Sequence, residues 1–215
     1  MEAENTDNKP KRPVYKSQDG FTEVELLRGF DEIRKLYNVL VTNTMGSFIC
    51  GGYARWCASP KPDNKAMPGD VDIYSDDEGD FKRLTEVFSK EGLNIRHENE
   101  IALTYVKPQS GMLKYTPTNQ LIKPNKEGRV VALGTREDIL SNFDFTVVRA
   151  AILDSTKVLV DADFIHDETE KILRLKNIHC PISLTLRCMK YATKGYWLPV
   201  PQAMKLFLDW DSRDD

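Results

Sequence analysis

The sequence predicts an α/β (α+β) fold, built on one mixed sheet and followed by a small helical region. Two observations carry this expectation. Segments with apolar residues at helical spacing alternate with short apolar runs bounded by Gly, Pro and Asn, as helices alternate with strands. Several of the strand-like runs also follow one another with no helix between them, which implies a mixed sheet.

The 215 residues are 40% hydrophobic and 29% charged, enough for one substantial core or two small ones. A net charge of −3, from 30 basic and 33 acidic residues, excludes a strongly basic nucleic-acid coat but leaves room for a local basic groove. Cys50, Cys57, Cys180 and Cys188 show no metal-ligand spacing and are expected as buried thiols. No charged-then-apolar leader follows Met1 and no apolar run approaches ~18 residues, so a cytoplasmic protein without a membrane span is expected.

Residues 1–19 are polar and are expected to form a mobile arm. From Phe21 to about Val41, the residues Leu26, Leu27, Phe30, Ile33, Leu36, Tyr37 and Leu40 recur at helical spacing, as one helix or two joined near Gly29. SFIC then reads as a buried strand, Gly51-Gly52 as a turn, YARWCAS as the opening of a helix, PKPDNKAMPG as a loop and DVDIYS as a strand. A helix at about 78–91 precedes the strand-like runs LNIRH, IALTYVK, NQLIK and FDFTVV. Thr135 and Asp138 have capping-box spacing for a short helix REDILSN, which puts Asp144 near the beginning of the FDFTVV strand. After KVLVDADF the chain turns helical. Asp167 and Glu170 suit the start of ETEKILRL, Pro181 the first turn of ISLTLRCMKYAT and Gly195 its end, and a last helix runs from about Pro201 to Trp210. The organisation expected is an arm over 1–19, a sheet-bearing domain over 20–165 and a helical region over 166–215.

Asp70 and Asp72 are one residue apart on a strand, so both side chains leave one face while Val71 and Ile73 enter the core. Two adjacent carboxylates repel each other unless a cation or proton intervenes. Hard oxygen ligands of this kind suit magnesium, which fills its shell with water and substrate phosphate oxygens. The same pair also fits a solvated strand end.

Gly51-Gly52, at a strand-to-helix junction, lets backbone N–H groups approach a phosphate, although alone it is a tight turn. Arg55, about one helical turn on, offers a charge to phosphate oxygens or a surface salt bridge. A two-ion site needs a third carboxylate. Asp144 is the candidate, since an acid between Phe143 and Phe145 is costly unless it faces a cleft with cations or donors. Asp161 and Asp163 are its rivals, read as turn residues. Arg187, Lys190 and Lys194 fall at i, i+3 and i+7 along one helix face, which suits a triphosphate, an RNA backbone or plain solvent.

GGYAR followed by GDVDIY resembles the Gly-Gly and Asp-x-Asp signature of the DNA polymerase beta-like nucleotidyltransferase superfamily, which includes CCA-adding enzymes, poly(A) polymerases, antibiotic nucleotidyltransferases and nucleotidyltransferase toxins. The likeness covers roughly residues 45–196 and is sharpest over 51–74. TLRCMKYATKGY is similar to the R-x-x-K/R-(F/Y) helical segment of tRNA nucleotidyltransferase-like proteins, and the FDF and KY-x-x-KGY pairing also resembles proteins of phages and large DNA viruses. One departure stands out: Trp56 occupies the place of the Asp in Gly-Gly-x-x-Arg-Asp.

The resemblance implies a nucleotidyltransferase sheet over 20–165, with two divalent ions, Mg2+ or Mn2+, held by Asp70, Asp72 and Asp144. It places an NTP on Gly51, Gly52, Arg55, Arg187, Lys190 and Lys194. NMP would pass to a hydroxyl of an RNA (tRNA-like 3′ end) or of a protein, releasing diphosphate. At this length the chain has no room for the large helical tRNA-binding body of a full CCA-adding enzyme. Two alternatives stay open. A catalytically inactive nucleotide- or nucleic-acid-binding module is disfavoured by the intact Asp70, Asp72, Asp144 set. A metal-dependent glycosyltransferase is disfavoured by a Gly-Gly turn ~18 residues ahead of the first aspartate.

Overall fold

The computed structural model describes residues 20–62, 67–107, 117–125 and 132–211; the expected arm over 1–19 and the middle of the expected loop, 63–66, lie outside them. Its strands are β1 (Phe21–Glu25), β2 (Phe48–Cys50), β3 (Asp70–Tyr74), β4 (Asn94–Glu98), β5 (Ala102–Val106), β6 (Thr118–Ile122), β7 (Ala150–Ile152) and β8 (Lys157–Asp161). They form one sheet in the order β1-β8-β7-β2-β3-β6-β5-β4. All neighbours are antiparallel except β3 and β6, which run parallel, so the sheet is mixed as expected. The helices are α1 (Phe30–Asn43), α2 (Gly52–Ala58), α3 (Glu78–Lys90), α4 (Arg136–Ser141), α5 (Phe164–Glu170), α6 (Pro181–Ala192) and α7 (Val200–Asp211).

Strand alternation sorts the core. Ile49, Val71, Ile73, Ala150, Ile152, Val158 and Val160 meet Ile33 and Leu40 of α1, Tyr53 and Cys57 of α2, and Leu84 and Phe88 of α3 on one face. The residues between them, Phe48, Cys50, Ala151 and Leu159, meet Ile139 and Leu140 of α4 on the other. Asp70, Asp72 and Tyr74 therefore share that second face, as the Asp-x-Asp spacing predicts. A third cluster joins Phe145, Val147 and Val148 to Leu184 and Tyr191 of α6, Tyr196, and Leu206 of α7.

Local chemistry accounts for several ends. Thr135 and Asp138 close the expected capping box on α4, and Asp77 accepts from the Asp80 N–H to begin α3. Pro181 starts α6, and Gly195 takes a φ of 83° beyond its end. Gly29 enters α1 at φ 81°, and a Cβ there would stand 2.3 Å from the Trp56 ring, so only glycine fits.

Four expectations need correction. Phe21–Glu25 is a strand rather than helix, because it pairs in full with Lys157–Asp161. FDFTVV is not a strand: after Asp144 and Phe145, Thr146–Val148 forms a 3-10 turn whose apolar side chains feed the third cluster, and β7 begins only at Ala150. Asp144 thus precedes a turn. ETEKILRL is not a helix begun by Asp167 and Glu170, since both residues lie inside α5, which ends at Lys171 with φ 56°. Ile172 instead bridges to Trp197, and Leu175 to Phe145. Of the four thiols, Cys180 is exposed and Cys188 half-buried, because α6 turns only one side to the core.

The capping box gives a measurable consequence. Thr135→Ala removes a hydroxyl that accepts from the Asp138 N–H, and the expected loss is about 1 kcal/mol in the urea unfolding free energy.

Candidate active site

Strand order brings the two glycine and aspartate motifs together. β2 runs antiparallel to β3 with Cys50 opposite Asp72, so the chain leaves β2 through Gly51 beside the start of β3. Asp70, two residues earlier, extends past the end of β2 and pairs with Thr118 of β6. Gly51 has φ 76° and donates its N–H to the Ala150 carbonyl at 2.9 Å. A Cβ at Gly51 would stand 3.3 Å from Asp72 Oδ2, whereas no described atom lies within 4 Å of one at Gly52. The first glycine is thus required by its backbone, and the second leaves the turn bare toward the cleft.

Two adjoining clefts open here. The smaller, of about 250 Å³, contains Gly51, Gly52, Asp70, Asp72, Asp144 and Arg187. The larger, of about 490 Å³, contains Gly52, Arg55, Trp56, Asp70 and Lys194. Lys190 and Tyr191 of α6 border both. Asp72 is pushed up to about 7 by burial first and then by the neighbouring Asp70 carboxylate, with Arg187 and Lys190 pulling the other way. A half-buried carboxyl that desolvation first and a neighbouring carboxylate second push toward its protonated form is what a cation would relieve, so the donor set fits a divalent ion.

Asp144 reaches the same cleft, and its carboxylate accepts from Arg187 Nη1. Its carbonyl accepts from the Lys176 N–H at 2.7 Å, which holds the turn. The rivals are engaged elsewhere: Asp161 pairs with Arg149 at 3.3 Å and Lys176 at 3.5 Å, and Asp163 with Arg174 and Lys176. Among the described residues, the three acids whose carboxylates converge within 4.8 Å are Asp76, Asp77 and Asp80, past the far end of β3. Two of these have structural work to do: Asp77 caps α3, and Asp80 accepts from the Met45 and Gly46 N–H groups and pairs with Arg83.

Arg55 borders the larger cleft but turns its charge inward. It is 4% exposed. Its Nε donates to Glu168 Oε1 at 2.5 Å and Nη2 to the Tyr196 hydroxyl at 2.5 Å, while Ser59 donates to Glu168 Oε2 at 2.6 Å. The guanidinium also lies 5.4 and 5.1 Å from the Tyr191 and Tyr196 ring centres. Arg187 and Lys190 stand on α6 along the clefts, and Lys194 follows in the turn with its Nζ 5.2 Å from the Tyr191 ring centre.

Glu168, Tyr191 and His179 were not singled out from the sequence. His179 borders the smaller cleft, its Nε2 2.8 Å from the Asn142 carbonyl. Tyr191 lay in plain view within the quoted helical segment, between two lysines.

No family model and no curated protein matches the chain. Solved structures do. It is similar to a tRNA nucleotidyltransferase complexed with a primer tRNA and an incoming ATP analog, at 17% identity over 74% of this chain and 45% of that one, with a TM-score of 0.50. It is also similar to the apo form of a CCA-adding enzyme, at 14% identity over 88% and 46%, with a TM-score of 0.57. Against the Thermotoga maritima CCA-adding enzyme complexed with tRNA the values are 14%, 86% and 44%, with a TM-score of 0.54. The chain shares the fold of these structures, and it spans less than half the length of each of them. No helix among the described residues is long and apolar enough to cross a membrane.

Two measurements follow from this site. Glu168→Ala removes the carboxylate that meets the buried Arg55 guanidinium, and should cost about 3–5 kcal/mol in urea unfolding, with Glu168→Gln costing less. Asp72 has its carboxyl raised from 3.8 to about 7, so the folded state holds the proton more tightly and stability falls as pH rises through that window. In chelator, the melting temperature of the wild type should therefore fall relative to Asp72→Asn from pH 3.8 to about 7 and run parallel above it. Parallel curves throughout would remove the buried-acid account.

Proposed function

We propose that this protein is a metal-dependent nucleotidyltransferase that moves NMP from an NTP to a hydroxyl acceptor, either an RNA with a tRNA-like 3′ end or a protein. The observation that carries the reading is one cleft holding the Asp70 and Asp72 carboxylates, the bare Gly51-Gly52 turn and the basic edge of α6. Asp70, Asp72 and Asp144 are the residues that would hold two ions, Mg2+ or Mn2+. Bound there, the ions would lower the pKa of an acceptor hydroxyl and offset charge on the entering and leaving oxygens.

The chain's own groups supply the rest. Gly52, with no side chain, lets a triphosphate lie against backbone, and Arg187, Lys190 and Lys194 draw it in by charge. Arg55 acts by holding the Gly-Gly helix rather than by reaching outward, since Glu168 meets its charge. The acceptor oxygen attacks the α-phosphorus in line, forming one P–O bond as the bond to diphosphate breaks. Asn142, Phe143 and His179, which also line the smaller cleft, are the residues we assign to the acceptor.

The neighbours in fold support nucleotide and RNA as partners: one is complexed with a primer tRNA and an ATP analog, another with CTP. Those chains are more than twice as long as the part this one matches.

The test is incubation with each α-labelled NTP, Mg2+ or Mn2+, and cellular RNA plus protein extract, beside Asp70→Ala, Asp72→Ala and the double variant. Label should enter a macromolecule with the wild type and fall to background in all three, with the native circular dichroism spectrum kept, because strand-end carboxylates contribute little to the core. Metal-dependent NTP binding without transfer by the wild type would favour a binding module. Collapse of folding in the variants would make the carboxylates structural.

A further inference from the structure

Asp144 is satisfied differently from the other buried acids among the described residues. Asp80, Asp161, Asp167 and Glu168 each meet at least three polar groups, Asp167 for example Thr146, His166 and Arg174. An ionised carboxylate has room for about four hydrogen bonds, so such sets hold these acids in place. The Asp144 carboxylate has one partner among the described residues, Arg187, through one nitrogen on one oxygen. Arg149 lies near enough to feel its charge, but gives its own hydrogens to the Ser141 and Phe143 carbonyls and to Asp161.

The two halves of this pair are not equally fixed. The Asp144 side chain is 11% exposed, and its backbone carbonyl is held by the Lys176 N–H. The Arg187 side chain is 46% exposed and carries five donors on a long stem, so it is the member that can move. Its charge also reaches beyond Asp144. Asp72 is pushed up by burial and then by Asp70, and Arg187 is the first of the charges that pull it back. The carboxylates of Asp70, Asp72 and Asp144 do not converge to within 4.8 Å of one another. A guanidinium thus stands in the cleft that these three acids line.

We propose that Arg187 is an exchangeable counter-cation: Asp144 meets a divalent ion only as Arg187 lets go of it, and the freed guanidinium turns to phosphate oxygens. The inference rests on the reading of this cleft as a metal and NTP site. A divalent ion and a guanidinium on the same carboxylate repel each other across a cleft of about 250 Å³, so the two compete for Asp144. A guanidinium forks onto phosphate as it does onto carboxylate, so a bound triphosphate offsets the loss of the pair. Metal and nucleotide therefore promote each other's binding, and linkage makes the factor the same in both directions.

The experiment reads binding by the full chain without turnover: Mn2+ alone by electron paramagnetic resonance, and a non-hydrolysable NTP analogue in chelator by calorimetry. The proteins are the wild type, Arg187→Gln, Asp144→Asn, the double variant, and Lys190→Gln, which removes a charge from the same cleft that forms no ion pair with Asp144. Arg187→Gln should bind Mn2+ roughly tenfold tighter than the wild type, well beyond the gain from Lys190→Gln, and the double variant should lose that excess. In chelator, Asp144→Asn should bind the analogue several-fold tighter than the wild type, and the double variant should not. A Mn2+ gain no larger than that of Lys190→Gln, or one that persists in the double variant, would overturn the exchange and leave the metal site standing. So would an analogue affinity that Asp144→Asn leaves unchanged. Absence of Mn2+ binding by all five proteins would overturn both the exchange and the metal reading. Should Arg187→Gln lose the native circular dichroism spectrum, Arg187→Met makes the same comparison.

Discussion

The buried pair between Arg55 and Glu168 is the contact on which the arrangement of the site depends. Arg55 belongs to the helix that leaves the Gly-Gly turn, and Glu168 to α5, which follows β8. Taking both charges out of water costs several kcal/mol each, and the loss is offset only in the one geometry that satisfies both, with Ser59 and Tyr196 completing the hydrogen bonds. Such a pair is weak as a source of net stability and strong as a constraint. It admits one placement of α2 against α5, and through the Tyr191 and Tyr196 rings it ties that placement to the edge of the cleft.

Sheet topology supplies the second constraint. Because β2 and β3 are antiparallel, the exit of one strand lies beside the entry of the other, and motifs eighteen residues apart in sequence become neighbours without any loop having to reach. Cys50 faces Asp72 on the sheet and β2 stops there, so Asp70 projects where no strand covers that side. The carboxylates are thereby drawn together, one half-buried and one exposed, and desolvation with mutual repulsion makes Asp72 hold its proton toward neutral pH. The same arrangement that is costly without a cation is the one that would bind it.

What was legible in the sequence was local. The Asp-x-Asp strand, the Gly-Gly turn, the capping box at Thr135 and the Pro181 start of α6 each depend on residues a few positions apart, and each stands where expected. What was hidden depends on distant partners. Phe21–Glu25 continues the apolar spacing of the helix after it, and becomes a strand only through β8, far along the chain. FDFTVV has strand composition, yet its carbonyls and N–H groups are taken up by Arg174, Lys176 and a local turn, and its phenylalanine and valines are needed by α6 and α7. Asp167 has the look of a cap. It is instead a buried acid, and Arg174, Thr146 and His166 outweigh the burial that would raise it and hold it below the usual carboxylate range. Arg55 was legible as a charge near the site, but its partner, 113 residues on, was not.

α6 draws these threads onto one element. Three faces of a twelve-residue helix carry three different duties: Leu184 and Tyr191 anchor it to the core, Arg187 and Lys190 border the cleft, and Ile182, Leu186 and Met189 face outward. A helix of 3.6 residues per turn has room for all three only because each takes about a third of the circumference. The consequence is mechanical. The backbone under the cleft-lining charges cannot shift without moving the core face, which the Arg55 and Glu168 pair restrains through Tyr191. A guanidinium on such a helix changes partners by turning about its own side-chain bonds, so exchange at the cleft is local and the fold around it stays as it is.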